Sequence, residues 1–105
     1  MAWCVAFNPV TLRTIVVSVN IPNATNYFYA EVVARYWAKR IHGKVMCMLP
    51  SYGEPKYAVY RSNRLVALGS NANELVKMFG TYAIIVPVET LTIHSIDDVM
   101  VYLRS

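Results

Sequence analysis

The segment Leu12-Arg13-Thr14-Ile15-Val16-Val17-Ser18-Val19-Asn20-Ile21-Pro22-Asn23 decides how this chain is read. β-Branched residues dominate it, and successive side chains of an extended run point to opposite faces. Ile15, Val17 and Val19 therefore share a wholly apolar face, while Thr14, Val16 and Ser18 share a mixed one. Pro22-Asn23 ends the strand, and Asn23 is placed to cap a helix reaching about His42, with Gly43 at the left-handed position that closes a helix. Along that helix Glu31, Arg35, Lys39 and His42 form a solvated stripe, and Phe28, Val32, Val33, Tyr36, Trp37 and Ile41 supply the buried side. A β-rich strand leading into a helix of about five turns predicts an α+β domain, with helices packed on one face of a mainly antiparallel sheet.

Working outward, Trp3 to Phe7 reads as a strand joined through the Asn8-Pro9 turn, and Lys44 to Leu49 as the strand after the long helix. The Pro50-to-Pro55 segment reads as a loop. Tyr57 to Arg61 and Arg64 to Leu68 flank Ser62-Asn63, a two-residue hairpin turn, because asparagine tolerates positive φ. Asn71, with Glu74 three positions on, starts a short helix that stops at Gly80. Tyr82 to Val86 and Leu91 to His94 read as further strands, and Ser95 with Asp98 caps a last helix to about Leu103. No repeat, linker or low-complexity tract interrupts residues 1–105, which are read as a single domain.

A chain of 105 residues can bury about two thirds of the surface it exposes when unfolded. With 56% hydrophobic and only 15% charged residues, it has apolar surface to spare for a partner. The formal charge of +4 favours an anionic one. Apolar stretches such as Ile15 to Val19 and Ala83 to Val88 are far shorter than the roughly 20 residues needed to span a bilayer, so no membrane association is expected. The opening Met1-Ala2-Trp3-Cys4 lacks the basic and long apolar regions of a secretory leader, which predicts an intracellular protein. Cys4 and Cys47 are then expected as buried thiols, with a disulfide between neighbouring strands as the alternative.

Several residues resemble a TATA-box-binding protein repeat. Leu12 to Ile21 is similar to that family's first strand, with its leucine, isoleucine-valine pair, hydroxyl residue and valine-asparagine ending. Glu54-Pro55-Lys56, Tyr60, Ser62, Arg64, Val66 and Gly69-Ser70 resemble its Glu-Pro-Lys, aromatic-ended strand, turn, valine strand and Gly-Ala before the second helix. The likeness covers about residues 11–79. It implies the order strand, long helix, three strands, helix, followed here by a further strand and helix, with a concave sheet face that meets a DNA minor groove. Thr14, Val16, Ser18, Met46, Met48, Ala58, Tyr60, Val66 and Leu68 would then lie on that face, Tyr60 standing where the family places a wedging aromatic. Lys56, Arg61 and Arg64 would hold phosphates. One repeat is half a saddle, which implies a homodimer joining two sheets.

Read without the likeness, the same apolar residues are core covered by the C-terminal strand and helix or by a second copy, and Arg35, Lys39 and Arg40 are solvated helix charges. Catalysis finds little support: His42 and His94 have no nucleophile at a useful spacing, and adjacent Asp97 and Asp98 diverge on a helix. The isolated glycines build no phosphate loop, and no spacing calls for a metal or cofactor. The expected function is double-stranded DNA binding without catalysis. The alternative is a protein-interaction module or small inhibitor that uses the apolar sheet face or the long helix.

Overall fold

The structure is a computed structural model that describes residues 2–104. Strand β1 (Ala2–Phe7) turns through Asn8 into β2 (Thr14–Val19), and helix α1 (Asn26–Arg40) leads to β3 (Lys44–Cys47). A two-residue strand β4 (Ser51–Tyr52) precedes the hairpin β5 (Tyr57–Arg61) and β6 (Arg64–Gly69). Helix α2 (Ala72–Phe79), strands β7 (Ile84–Pro87) and β8 (Glu89–Ile93), and helix α3 (Ile96–Leu103) complete the order.

These strands form two sheets, where the sequence reading expected one. The first has the order β3-β1-β2-β8 and the second β4-β6-β5-β7; pairing is antiparallel except for β2 with β8 and β4 with β6. The fold is α+β with two mainly antiparallel sheets and three helices. Helices α1 and α3 cover the outer face of the first sheet, α2 covers the second, and the two inner faces pack on each other. The helices therefore do not lie on one face of a single sheet. The order of elements is the expected one except for β4, which forms inside the segment read as a loop, and neighbours in the chain are not always neighbours in a sheet.

Alternation works as expected in β1 and β2. Cys4, Ala6, Ile15, Val17 and Val19 face α1, and Val5, Phe7 and Val16 face the second sheet. In the hairpin, Ser62 and Asn63 both take positive φ, 50° and 61°, the geometry of a turn that matches strand twist. Alternation fails one residue further on. Val59 lies opposite Ala67 but Tyr60 lies opposite Leu65, so Val66 is the extra residue of a bulge. Leu65 and Leu68 consequently point between the sheets, and Val66 and Ala67 face α2.

Helix α1 starts later than expected, since Asn23 sits at φ 57° in the preceding turn and the cap position is Thr25. Its buried stripe is Ala30, Val33, Ala34, Ala38 and Ile41, whereas Phe28 is 55% exposed and Val32 and Tyr36 are half-buried. Small side chains let the helix settle close to the sheet, which turns the larger ones outward. At the other end His42, and not Gly43, is the left-handed residue, at φ 55°. The His42 amide donates to the Lys39 carbonyl, and the Gly43 amide to that of Ala38 at 2.7 Å, the paired bonds of a Schellman ending. Gly43 is required for a different reason: a Cβ there would lie 2.2 Å from the Phe7 carbonyl oxygen.

The cysteines are joined, against the expectation of free thiols. Cys4 and Cys47 are direct register partners on β1 and β3, with Cα atoms 4.3 Å apart. The bond ties the edge strand β3 to the centre of its sheet.

Candidate nucleic-acid interface

The expected groove-binding face does not reach solvent. Thr14, Val16, Tyr60 and Leu68 are at most 2% exposed, and Ala58 is fully buried. They form the core between the two sheets, so a mixed strand face that would suit a widened groove is filled by the chain's own second sheet. Thr14 donates to the Leu12 carbonyl at 3.1 Å and shares a hydrogen bond with the Tyr60 hydroxyl, which satisfies both buried groups. Burial raises the Tyr60 pKa above the usual tyrosine value, and the Thr14 bond offsets part of that rise. Tyr60 is thus a core residue and no wedge. Ser18 is half-buried, and Val66 is turned toward α2 by the bulge. Met46 and Met48 are exposed, but Met48 has left β3 at φ 63° and does not continue its alternation. A dimer joining two concave faces has no such face to use.

Lys56, Arg61 and Arg64 are exposed. Arg61 and Arg64 are register partners at the hairpin tip, but Lys56 precedes the opposite end of β5, about 17 Å away along the strand.

A different cationic surface comes together where α1 ends. Lys39 and Arg40 occupy the last turn of α1, where they complement the negative end of the helix dipole. His42 sits next in the Schellman turn, and Asn8 Nδ2 donates to the Ile41 carbonyl at 2.9 Å, which locks that turn to the β1–β2 connection. Lys44 opens β3 opposite Phe7. Val45 and Cys47 pack toward α1, so Lys44 faces the other way, as Phe7 does. The Phe7 ring lies 6.4 Å from that of Tyr60, one residue before Arg61. Lys39, Arg40, His42 and Lys44 thus lie within six residues around the end of α1, and Arg61 and Arg64 sit apart from them at the tip of the second sheet's hairpin.

Among the described residues two cations are in ion pairs. Arg13 meets Glu89 at 3.1 Å, and Arg35 pairs with Glu31 one turn away on α1. Among the described residues Lys39, Arg40, Lys44, Arg61 and Arg64 form no ion pair with a carboxylate. A groove of about 600 Å³ between α1 and β3 is lined by Tyr27, Glu31, Arg35, Lys39, His42 and Lys44, among others. On the other side of the Arg35–Lys39 ridge, a cleft of about 510 Å³ is lined by Val32, Tyr36, Arg40 and Tyr102 together with those two cations.

The run Lys39-Arg40-Ile41-His42-Gly43-Lys44 was the available signal for this surface. Spacing on a helix assigns such charges to solvent, and only the Schellman turn and the Phe7–Lys44 pairing show that they converge. Asp97 and Asp98 lie in the first turn of α3, where the Asp97 amide donates to Ser95 Oγ at 3.2 Å. Among the described residues no three His, Cys, Asp or Glu side chains are grouped to hold a metal ion, and no helix is long and apolar enough to cross a membrane. No family model, curated protein or solved structure matches this chain.

Proposed function

We propose that this chain is a small nucleic-acid-binding protein that seats a phosphate backbone on the basic end formed by α1 and β3. The observation that carries this reading is the cluster of Lys39, Arg40 and Lys44 around the end of α1, none of which forms an ion pair with a carboxylate among the described residues. Unpaired cations on one surface keep their full attraction for phosphate, and each contact made releases counterions. The likeness of residues 11–79 to a TATA-box-binding repeat is a secondary support. It contributes the order strand, long helix, strands, helix, and DNA as the nucleic acid to try first.

The test is a fluorescence-anisotropy titration at several salt concentrations. A Lys39→Glu/Lys44→Glu variant is expected to bind at least tenfold more weakly, and its salt slope to flatten by about 1.5 if two phosphate contacts are lost. Wild-type affinity and slope in that variant would refute the reading.

A second reading rests on a separate observation. Val76, Met78, Tyr82 and Ile84 are 44–89% exposed around α2 and the edge strand β7, and residues 80–88 carry no charge. This surface supports a protein-interaction module or a self-associating chain, through α2 and β7 and not through the sheet face first considered. A partner or second copy that stays bound through nuclease treatment and high salt, and is released by Tyr82→Ser/Ile84→Ser, would favour it.

A further inference from the structure

We infer that the cleft beside α1 stacks an unpaired base, so that the preferred ligand of the basic end is single-stranded nucleic acid; this inference rests on the nucleic-acid reading above. Arg40 holds its guanidinium carbon 4.3 Å from the centre of the Tyr36 ring. The Tyr36 ring is itself fixed from two sides, by the edge of Tyr102 at 4.9 Å and by Trp37 at 5.3 Å, both near perpendicular. A ring braced from two sides therefore carries a guanidinium over it before any ligand arrives, and Arg40 is exposed.

A guanidinium on an aromatic ring is a platform for a nucleobase, which presents a flat face of matching size. The cleft, at about 510 Å³, lies within the range of small-ligand sites. Arg35 and Lys39 line both this cleft and the groove on the far side of α1. A strand crossing that ridge would lay a phosphate on Lys39, beside the Arg35–Glu31 pair, while one base enters the cleft. A duplex keeps its base faces stacked inside and would offer the same surface phosphates alone. The geometry is therefore worth more to an unpaired strand than to a paired one.

The experiment is anisotropy titration of labelled oligo(dT), oligo(U) and a duplex of equal length, at two salt concentrations, with the wild type, Tyr36→Ala and Arg40→Lys. Single strands are expected to bind about tenfold or more tightly than the duplex, and Tyr36→Ala to lower single-strand affinity by about 5- to 100-fold with duplex affinity and salt slope unchanged. Arg40→Lys keeps the charge and removes only the plane, so it is expected to act in the same direction with no risk to the core. The oligo(dT) and oligo(U) arms divide DNA from RNA. Duplex binding equal to or tighter than single-strand binding, or an equal loss for both forms in Arg40→Lys, would overturn the stacking inference and leave the basic-end reading standing. No binding of any oligonucleotide by the wild type would overturn both.

Discussion

The two sheets of this protein are built from similar residues but are covered very differently. The first is buried on both faces, by α1 and α3 outside and by the second sheet inside. The second sheet shares that inner core, but on its outer face only Val59 and Ala67 are fully buried, beneath Leu75 of the eight-residue helix α2. Around that helix Val76, Met78, Tyr82 and Ile84 remain exposed. A sheet with two covered faces can hold an edge strand and a helix end rigidly enough to present charges in fixed places. A sheet with one well-covered face depends on its neighbour for stability and has apolar surface left for exchange with a partner.

The comparison is tested most severely where the sheets meet. Tyr60 bridges them through its packing on Phe7 and its bond to Thr14, so Tyr60→Ala is expected to cost about 3–5 kcal/mol in denaturant unfolding. Loss of amide protection throughout both sheets is expected. Retained protection in the first sheet would show that its outer core stands without the second.

Next in size is the disulfide, which acts on the first sheet alone. Cys4→Ser/Cys47→Ser is expected to lower stability by about 2–4 kcal/mol, with the fastest new amide exchange in Lys44–Cys47. Since β3 lies in the wall of the basic groove, the same variant is expected to bind nucleic acid more weakly. Unchanged exchange in β3 would mean that pairing with β1 suffices to hold the edge.

Asn71→Ala removes the side chain that accepts the Glu74 amide at 3.1 Å and starts α2. A cost of about 1 kcal/mol is expected, confined to α2 and the outer face of the second sheet. Spread of the effect into β1 and β2 would contradict the assignment of α2 to a locally weak half.

The smallest effect at neutral pH is that of Tyr60→Phe, about 0.5 kcal/mol, because Thr14 keeps its bond to the Leu12 carbonyl. Its value lies in alkaline titration. The folded protein raises the Tyr60 pKa, so the neutral phenol is favoured by folding, and that contribution is complete below the ordinary tyrosine value near 10. It is lost as pH rises through the higher folded value. Wild type is therefore expected to lose stability above about pH 10 faster than Tyr60→Phe, and parallel alkaline curves would remove ionisation of Tyr60 as the cause.

The legible features share a short range. The period-2 faces of β2, the Ser62-Asn63 turn, the Asn71 and Ser95 caps and the solvated stripe of α1 each depend on residues within about four positions, and each stands where it was expected. The errors begin where one local feature shifts the next. Val66 bulges toward α2, so that Leu65 takes its place between the sheets while Leu68 keeps the expected facing, and alanines claim the buried side of α1 because close approach to the sheet outweighs side-chain size. The candidate site failed for the same reason: Thr14, Val16 and Tyr60 look alike in sequence whether a groove or a second sheet covers them.

By itself, then, the sequence determined the α+β class, the order of the helices and of every strand but β4, and the net positive charge, all of which arise from local conformational preference and composition. Only the tertiary structure decided that the strands divide into two sheets, that Cys4 meets Cys47, and that Val16 and Tyr60 share one core between the sheets. Those outcomes depend on which apolar faces exclude water together across long separations in the chain, and no local propensity encodes that choice.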